Sequence, residues 1–303
     1  MLALLLLASC ADWVCLPEGS PGAGLVYDVE VPDLSAQTRL RHHSWDAVLR
    51  LETLDEDIGG LVRRVDYDHL VTDAEAWKAL EDSLSTYAGV DPSALESHEE
   101  QLAYWINAYN AWVLYAVAAA YAQDPAYNVE ADGFLIFTTP FIQVGEWTLS
   151  PNDVEHGIAR GYEEQAYADE ATRAQAERWH DELWGDRAID GRIHMGFNCA
   201  SASCPSLSPG ALQGSRLYEQ LDELSRLYVA NTAYGAGPQG ISTIFNWYAA
   251  DFAPVFGSVQ AFIEEYREGG TADVDFGTFL TYDWSLNAAS RPSGEDETCA
   301  SPW

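Results

Sequence analysis

The chain has 303 residues, 48% of them hydrophobic and 12% aromatic, ample for a folded core and well outside the compositional range of disorder. Forty-eight acidic residues against fifteen basic ones give a formal charge of −33. Such a surface repels phosphate backbones and anionic headgroups, which argues against nucleic acid as a partner. Acidity of this degree reads as solubility or adaptation to salt before it reads as a cation site.

In chain order, the first ten residues are an apolar run ending in Leu7-Ala8-Ser9-Cys10. The run is too short for a membrane span, which needs about 20 residues, and it has the shape of an export signal. Leu-Ala-Ser-Cys is similar to a bacterial lipobox, so residues 1–10 are expected to be a signal, with Cys10 as the lipidated residue. The expected location is the cell envelope, with membrane contact through the lipid anchor only. Residues 11–35 hold Pro17, Gly19, Pro21, Gly22 and Gly24 without a helical period and read as a tether. Residues 290–303, rich in Ser, Pro and Glu, read as a polar tail. No second linker or internal repeat lies between, so a single domain is expected over residues 36–289.

Within that domain, residues 45–54 suit a helix and Val65-Asp66-Tyr67 a short extended or turn segment. Thr72 and Asp73 are candidate caps for a helix through Trp77, Leu80 and Leu84. Ser97 with Glu100 forms a capping-box pattern. It opens a helix over residues 102–121 that is apolar around most of its circumference, hence central and buried. Residues 134–141 and 145–149 look β-like, with a turn near Gly145. Ser150-Pro151-Asn152-Asp153 opens a helix carrying Glu155, His156 and Arg160. Residues 161–190 hold nine acidic and three basic residues and read as a solvated helical arm. Residues 192–197 suit a short strand running into the 198–209 loop, and later helices are expected over 216–231 and 244–266. The fold class is therefore α+β, helix-rich, with a small β-sheet and a buried central helix.

Six segments together resemble the family catalogued as domain of unknown function 547. They are Val65-Asp66-Tyr67; Ala103-Tyr104-Trp105-Ile106-Asn107-Ala108-Tyr109-Asn110-Ala111; Leu149 with Asp153-Val154-Glu155-His156-Gly157-Ile158-Ala159-Arg160; the run from Arg192-Ile193-His194 through Asn198-Cys199-Ala200-Ser201-Ala202-Ser203-Cys204-Pro205 to Ser206-Leu207; Ile244-Phe245-Asn246-Trp247-Tyr248 with Asp251-Phe252; and Tyr282-Asp283-Trp284-Ser285-Leu286-Asn287. They occur in the family's order over roughly residues 65–287, while the acidic 161–190 stretch looks longer than is usual there. The resemblance implies a fold-mate and carries no reaction with it.

The densest reactive group is His194-x4-Cys199-x4-Cys204-Pro205, and three chemistries fit it. In one, Cys204 is a nucleophile with His194 or His156 as base and Glu155 as the acceptor orienting it. Asn198, with backbone N–H groups around Ser203, would then stabilise an oxyanion. These residue types are similar to those of papain-like and transglutaminase-like enzymes, although those place the Cys at the start of a central helix and the 102–121 helix has none. In the second, Cys199 and Cys204 form a disulfide or a redox-active pair, natural in an oxidising compartment; Cys15 and Cys299 are a further possible bridge. In the third, His156, His194, Cys199 and Cys204 bind zinc. No cofactor is called for by the first two.

Several other residues have structural readings. Asn107 and Asn110, three apart on the central helix, suit packing hydrogen bonds, with a role for Asn107 in lining a cleft as the rival. Trp105, Trp112, Trp247 and Trp284 suit core filling. His42, His43, His69, His98 and His180 lie in polar segments and read as solvated. Asp283 and Asn287 suit capping or bridging, and Arg160 suits an acidic partner before a substrate carboxylate. The expected function is a Cys–His hydrolase or acyl-transferase-like domain acting on a peptide or amide bond, with a peptide or small molecule as ligand. The alternative is a non-catalytic binding or assembly module with structural or zinc-bound cysteines.

Overall fold

A computed structural model describes residues 42–130, 133–161 and 169–290, together with the paired backbone of β1 (Val14–Cys15) and β2 (Val26–Tyr27). The signal and lipidation site, the Cys15–Cys299 pairing and residues 291–303 of the tail lie outside the described side chains.

The first described helix, α1 (His43–Leu51), is shorter than its sequence pattern, because the chain turns into the hairpin β3 (Thr53–Asp57) and β4 (Leu61–Val65). Gly59 sits in its turn at φ +68, and a β-carbon there would come within 2.9 Å of the Ala233 backbone. Asp66 caps α2 (Tyr67–Thr72) by accepting from the His69 N–H. Asp73 caps α3 (Ala74–Ala88) by accepting from Glu75 and Ala76, as its position before the apolar period implies.

The central element is α4 (His98–Gln123), in which every residue from Leu102 to Ala120 is buried. Ser97 Oγ accepts from the Glu100 N–H at 3.1 Å, and the Glu100 carboxylate reaches back to the Glu96 N–H at 3.2 Å. This is a capping box displaced by one residue on its return arm. Asn107 exchanges hydrogen bonds with both backbone groups of Leu212, and Asn110 binds the Gly196 carbonyl and the Asn198 N–H. These buried amides tie the helix to the loops above it, as a buried polar pair must. Asn107 is thereby committed to Leu212.

Three expectations are corrected between α4 and the cysteine loop. Residues 134–141 contain a helical turn, α5 (Leu135–Thr138), and the strands that follow it are β5 (Ile142–Val144) and β6 (Trp147–Leu149), joined at Gly145. The acidic arm is helix α6 (Glu170–Trp184), and it is only half solvated. Ala176, Trp179, Leu183 and Trp184 are buried, with Trp179 edge-on to Trp105 at 5.1 Å and the Trp184 indole donating to the Ala159 carbonyl at 2.9 Å. The segment before the cysteines is the turn α7 (Ile193–Gly196) instead of a strand, because Asn110 holds its end in place.

Helix α8 (Leu217–Ala230) matches its pattern, and a hairpin β7 (Ala236–Gly237) and β8 (Gly240–Ile241) follows. The expected 244–266 helix is three: α9 (Ile244–Trp247), α10 (Ala249–Phe256) and α11 (Val259–Tyr266), the last two separated by Gly257 at φ +82. The fold is a helix-rich α+β domain around a buried central helix. Its named strands pair two by two as separate ladders rather than as one sheet. Among the described residues no helix is long and apolar enough to cross a membrane.

Four of the six motif segments meet in one place. Tyr67 donates to Asn287 Oδ1 at 2.9 Å, and Asn287 Nδ2 donates to Asn198 Oδ1 at 3.2 Å. Ala202 and Ser203 bond through their N–H groups to the carbonyls of Ser285 and Asp283. The fourth segment is α4 itself, through Asn110 and Asn198.

Candidate active site: a thiol-lined cavity

The pinned loop closes one side of a cavity of about 310 Å³ that opens between Tyr109, Glu155, His194, Cys199, Trp247 and Trp284, with His156 and Cys204 also on its wall. The volume is at the small end of ligand pockets.

Both thiols line the cavity. Both are free, and the Cys199 N–H donates to Cys204 Sγ at 3.0 Å, so the chain folds back between them. Ala200 makes that reversal in the left-handed region, φ +64, held by Asn198 Oδ1 on its N–H and the Asn287 N–H on its carbonyl. A left-handed alanine is a strained position that persists only where its surroundings over-determine it. Cys199 Sγ lies 3.1 Å from Ser201 Oγ and 3.3 Å from the Tyr282 hydroxyl. Ser201 donates to Tyr282 at 2.9 Å, leaving the phenol hydrogen for the sulfur.

Burial opposes charge on Cys199, but hydrogen bonds from Cys204, Ser201 and Tyr282 outweigh it and bring the thiol down to about 7. Burial raises Cys204, and its hydrogen bond to Cys199 and the neighbouring charge raise it further. Hydrogen-bond donors, which favour the thiolate form, converge on the Cys199 sulfur and not on that of Cys204, the cysteine expected from the sequence to be the nucleophile.

His194 also lines the cavity. Its Nε2 lies 2.8 Å from Asp251 Oδ2, its ring stacks on Tyr248 at 3.9 Å between centroids, and its Nδ1 is buried with no hydrogen-bond partner. Burial lowers its pKa, against the raising effect of Asp251. Asp251 also accepts from Arg160 Nε at 2.5 Å, and Arg160 Nη1 meets His156 Nδ1 at 2.9 Å. Burial likewise lowers His156, with Arg160 acting in the same direction. Glu155 accepts from the Tyr248 hydroxyl at 3.2 Å.

The orienting carboxylate for His194 is thus Asp251, 57 residues away, in place of Glu155. Its motif was visible but its partner was not. Arg160 takes the acidic partner expected of it and is committed to Asp251. Of the residues expected at an oxyanion site, Asn198 is held through its amide by Pro205 and Ala200, and Ser203 bonds Asp283 through both its N–H and its hydroxyl. Among the described residues no group of three or more His, Cys, Asp or Glu converges as metal ligands. Trp105 and Trp112 are core, whereas Trp247 is 44% exposed and stacks with Trp284 at the cavity mouth. Of the histidines expected in solvent, His42, His98 and His180 are half-buried and hydrogen-bonded to Tyr87, Tyr218 and Ile158 respectively, and His69 pairs with Glu52.

What the fold and site define is a helix-rich domain with a paired-thiol cavity. Residues 92–229 match the family described as "Protein of unknown function, DUF547", which supports that family for this chain. No curated protein and no solved structure matches it. The matched region carries Tyr109, Glu155, His156, His194 and both thiols; Trp247, Tyr248, Tyr282 and Trp284 complete the cavity from beyond it, and Asp251 stands behind His194.

Proposed function

We propose that the cavity performs thiol-dependent acyl transfer or hydrolysis on a small amide or peptide-like substrate, with Cys199 as nucleophile and His194, oriented by Asp251, as the proton carrier. The observation that carries this is the convergence of hydroxyl donors on Cys199 in the same cavity as an unpartnered imidazole nitrogen. In the reaction the thiol proton goes to His194 Nδ1, and Cys199 Sγ bonds to the carbonyl carbon. The proton then passes to the departing amine as the C–N bond breaks, and water or a second amine takes the acyl group and restores the thiol. Asp251 stabilises the imidazolium formed on the way.

A non-catalytic binding module is the second reading, favoured by one observation: the hydrogen bonds of Cys199 go to hydroxyls, with none to His194 or His156. Brief iodoacetamide treatment of native protein, with the modified site mapped by mass spectrometry, separates the two. The catalytic reading expects Cys199 to be alkylated before Cys204 and without added reductant, and His194→Ala to slow turnover of any amide substrate. Labelling that appears only after reduction means a structural disulfide and leaves the binding module.

We also infer from Leu7-Ala8-Ser9-Cys10 that the protein is exported and lipid-anchored. Cys10→Ala is then expected to move it from the membrane to the soluble fraction, and equal membrane association of both forms contradicts the anchor.

A further inference from the structure

Two residues on the cavity wall, Glu155 and His194, offer hydrogen-bond acceptors. Asp251, ionised between Arg160 and His194, can only accept, so the proton of neutral His194 sits on Nε2 and the buried Nδ1 presents a lone pair. Tyr248 links this nitrogen to a second acceptor: its ring stacks on His194 and its hydroxyl donates to Glu155. Among the described residues the lining side chains include neither lysine nor arginine, and the nearby Arg160 is held by Asp251 and His156. The mouth is aromatic. Trp284 packs against Phe134 at 4.7 Å, Tyr282 at 4.3 Å and Trp247 at 5.7 Å, giving a continuous wall of rings beside the two acceptors.

A cation gains from the Glu155 carboxylate, from the ring faces and from the field of a chain with formal charge −33. A carboxylate ligand of the same shape meets a carboxylate and a lone pair instead. We propose that the cavity selects a ligand bearing a protonated amine or guanidinium, which donates to Glu155 while its apolar or aromatic body lies along Phe134, Trp247 and Trp284, leaving His194 Nδ1 to the thiol proton. This names the substrate class of the site proposed above and rests on that cavity being the functional one.

The test is calorimetric and fluorimetric titration of the full chain with phenethylamine, phenylguanidine, 2-phenylethanol and 3-phenylpropionate. Saturable binding of the two cations is expected to be at least about ten-fold tighter than that of the carboxylate, the scale of a desolvated cation–π contact with a charge-assisted hydrogen bond. Glu155→Gln is expected to remove most of that preference. Trp247→Leu, at an exposed ring, is expected to weaken both cations with little effect on folding. Equal or tighter binding of 3-phenylpropionate, or no binding of either cation, overturns the proposal. Repeating the titration with Cys199→Ser separates the two readings, because cation selectivity should persist without the thiol. Selectivity with an unreactive Cys199 removes the catalytic reading alone, and a reactive Cys199 without selectivity removes this one alone.

Discussion

Asp251→Ala is expected to cost about 3–5 kcal/mol of folding stability, the scale for deleting one partner of a buried, hydrogen-bonded ion pair. Asp251 is 4% exposed and accepts from both Arg160 and His194. Burial alone would raise its pKa, yet the hydrogen bonds and charges of His194 and Arg160 pull it down to about 2. A carboxyl depressed in the folded state stabilises above its ordinary value and loses that contribution as pH falls. The stabilisation from Asp251 is therefore complete above its usual 3.8 and fades toward pH 2. Urea unfolding at neutral pH measures the loss. Asp251→Asn, which keeps the shape and an acceptor oxygen but not the charge, is expected to fall between wild type and the alanine variant. A change below about 1 kcal/mol in the alanine variant, the ordinary surface scale, would mean that the pair is not closed off from water.

Trp105→Ala is expected to cost about 3–5 kcal/mol, the range for removing a buried aromatic side chain from a packed core. Its ring is 1% exposed and meets Tyr104 and Trp179 edge-on, each at 5.1 Å. Trp112→Ala belongs in the same range, since Trp112 is fully buried in the same helix. Thermal or urea unfolding checks both. Near-wild-type stability in the two variants would contradict a central α4.

The helices that were readable from sequence are those with a cap before a long apolar pattern: Asp73 ahead of α3 and Ser97 ahead of α4. The misread segments are short. Over 134–141 and 192–197 a few apolar residues cannot separate a helical turn from a strand, and distant contacts decide. The Asn110 amide, 86 residues from the Gly196 carbonyl it holds, is one such contact. The burial of α6 was present as Ala176, Trp179 and Leu183 at helical spacing, but the count of acidic residues hid it.

The same division runs through the site. His194, Cys199 and Cys204 are near neighbours in sequence, and Glu155-His156 stands in a recognisable motif, so their shared cavity was within reach of sequence reading. Which cysteine receives the donors was not, because Tyr282, whose hydroxyl meets Cys199, is 83 residues away. Asp251 and Tyr282 both lay in motifs already noted, and only the fold turns those motifs toward His194 and Cys199.

The measurement closest to the central claim is the rate of iodoacetamide alkylation at Cys199 as a function of pH, resolved from Cys204 by peptide mass spectrometry. The account predicts a rate that rises with pH to a midpoint of about 7 in wild type. In Tyr282→Phe, which removes the phenol hydrogen aimed at the sulfur, the midpoint should move up toward the ordinary thiol range. A Cys199 midpoint at the ordinary thiol value in wild type, unmoved by Tyr282→Phe, would contradict it.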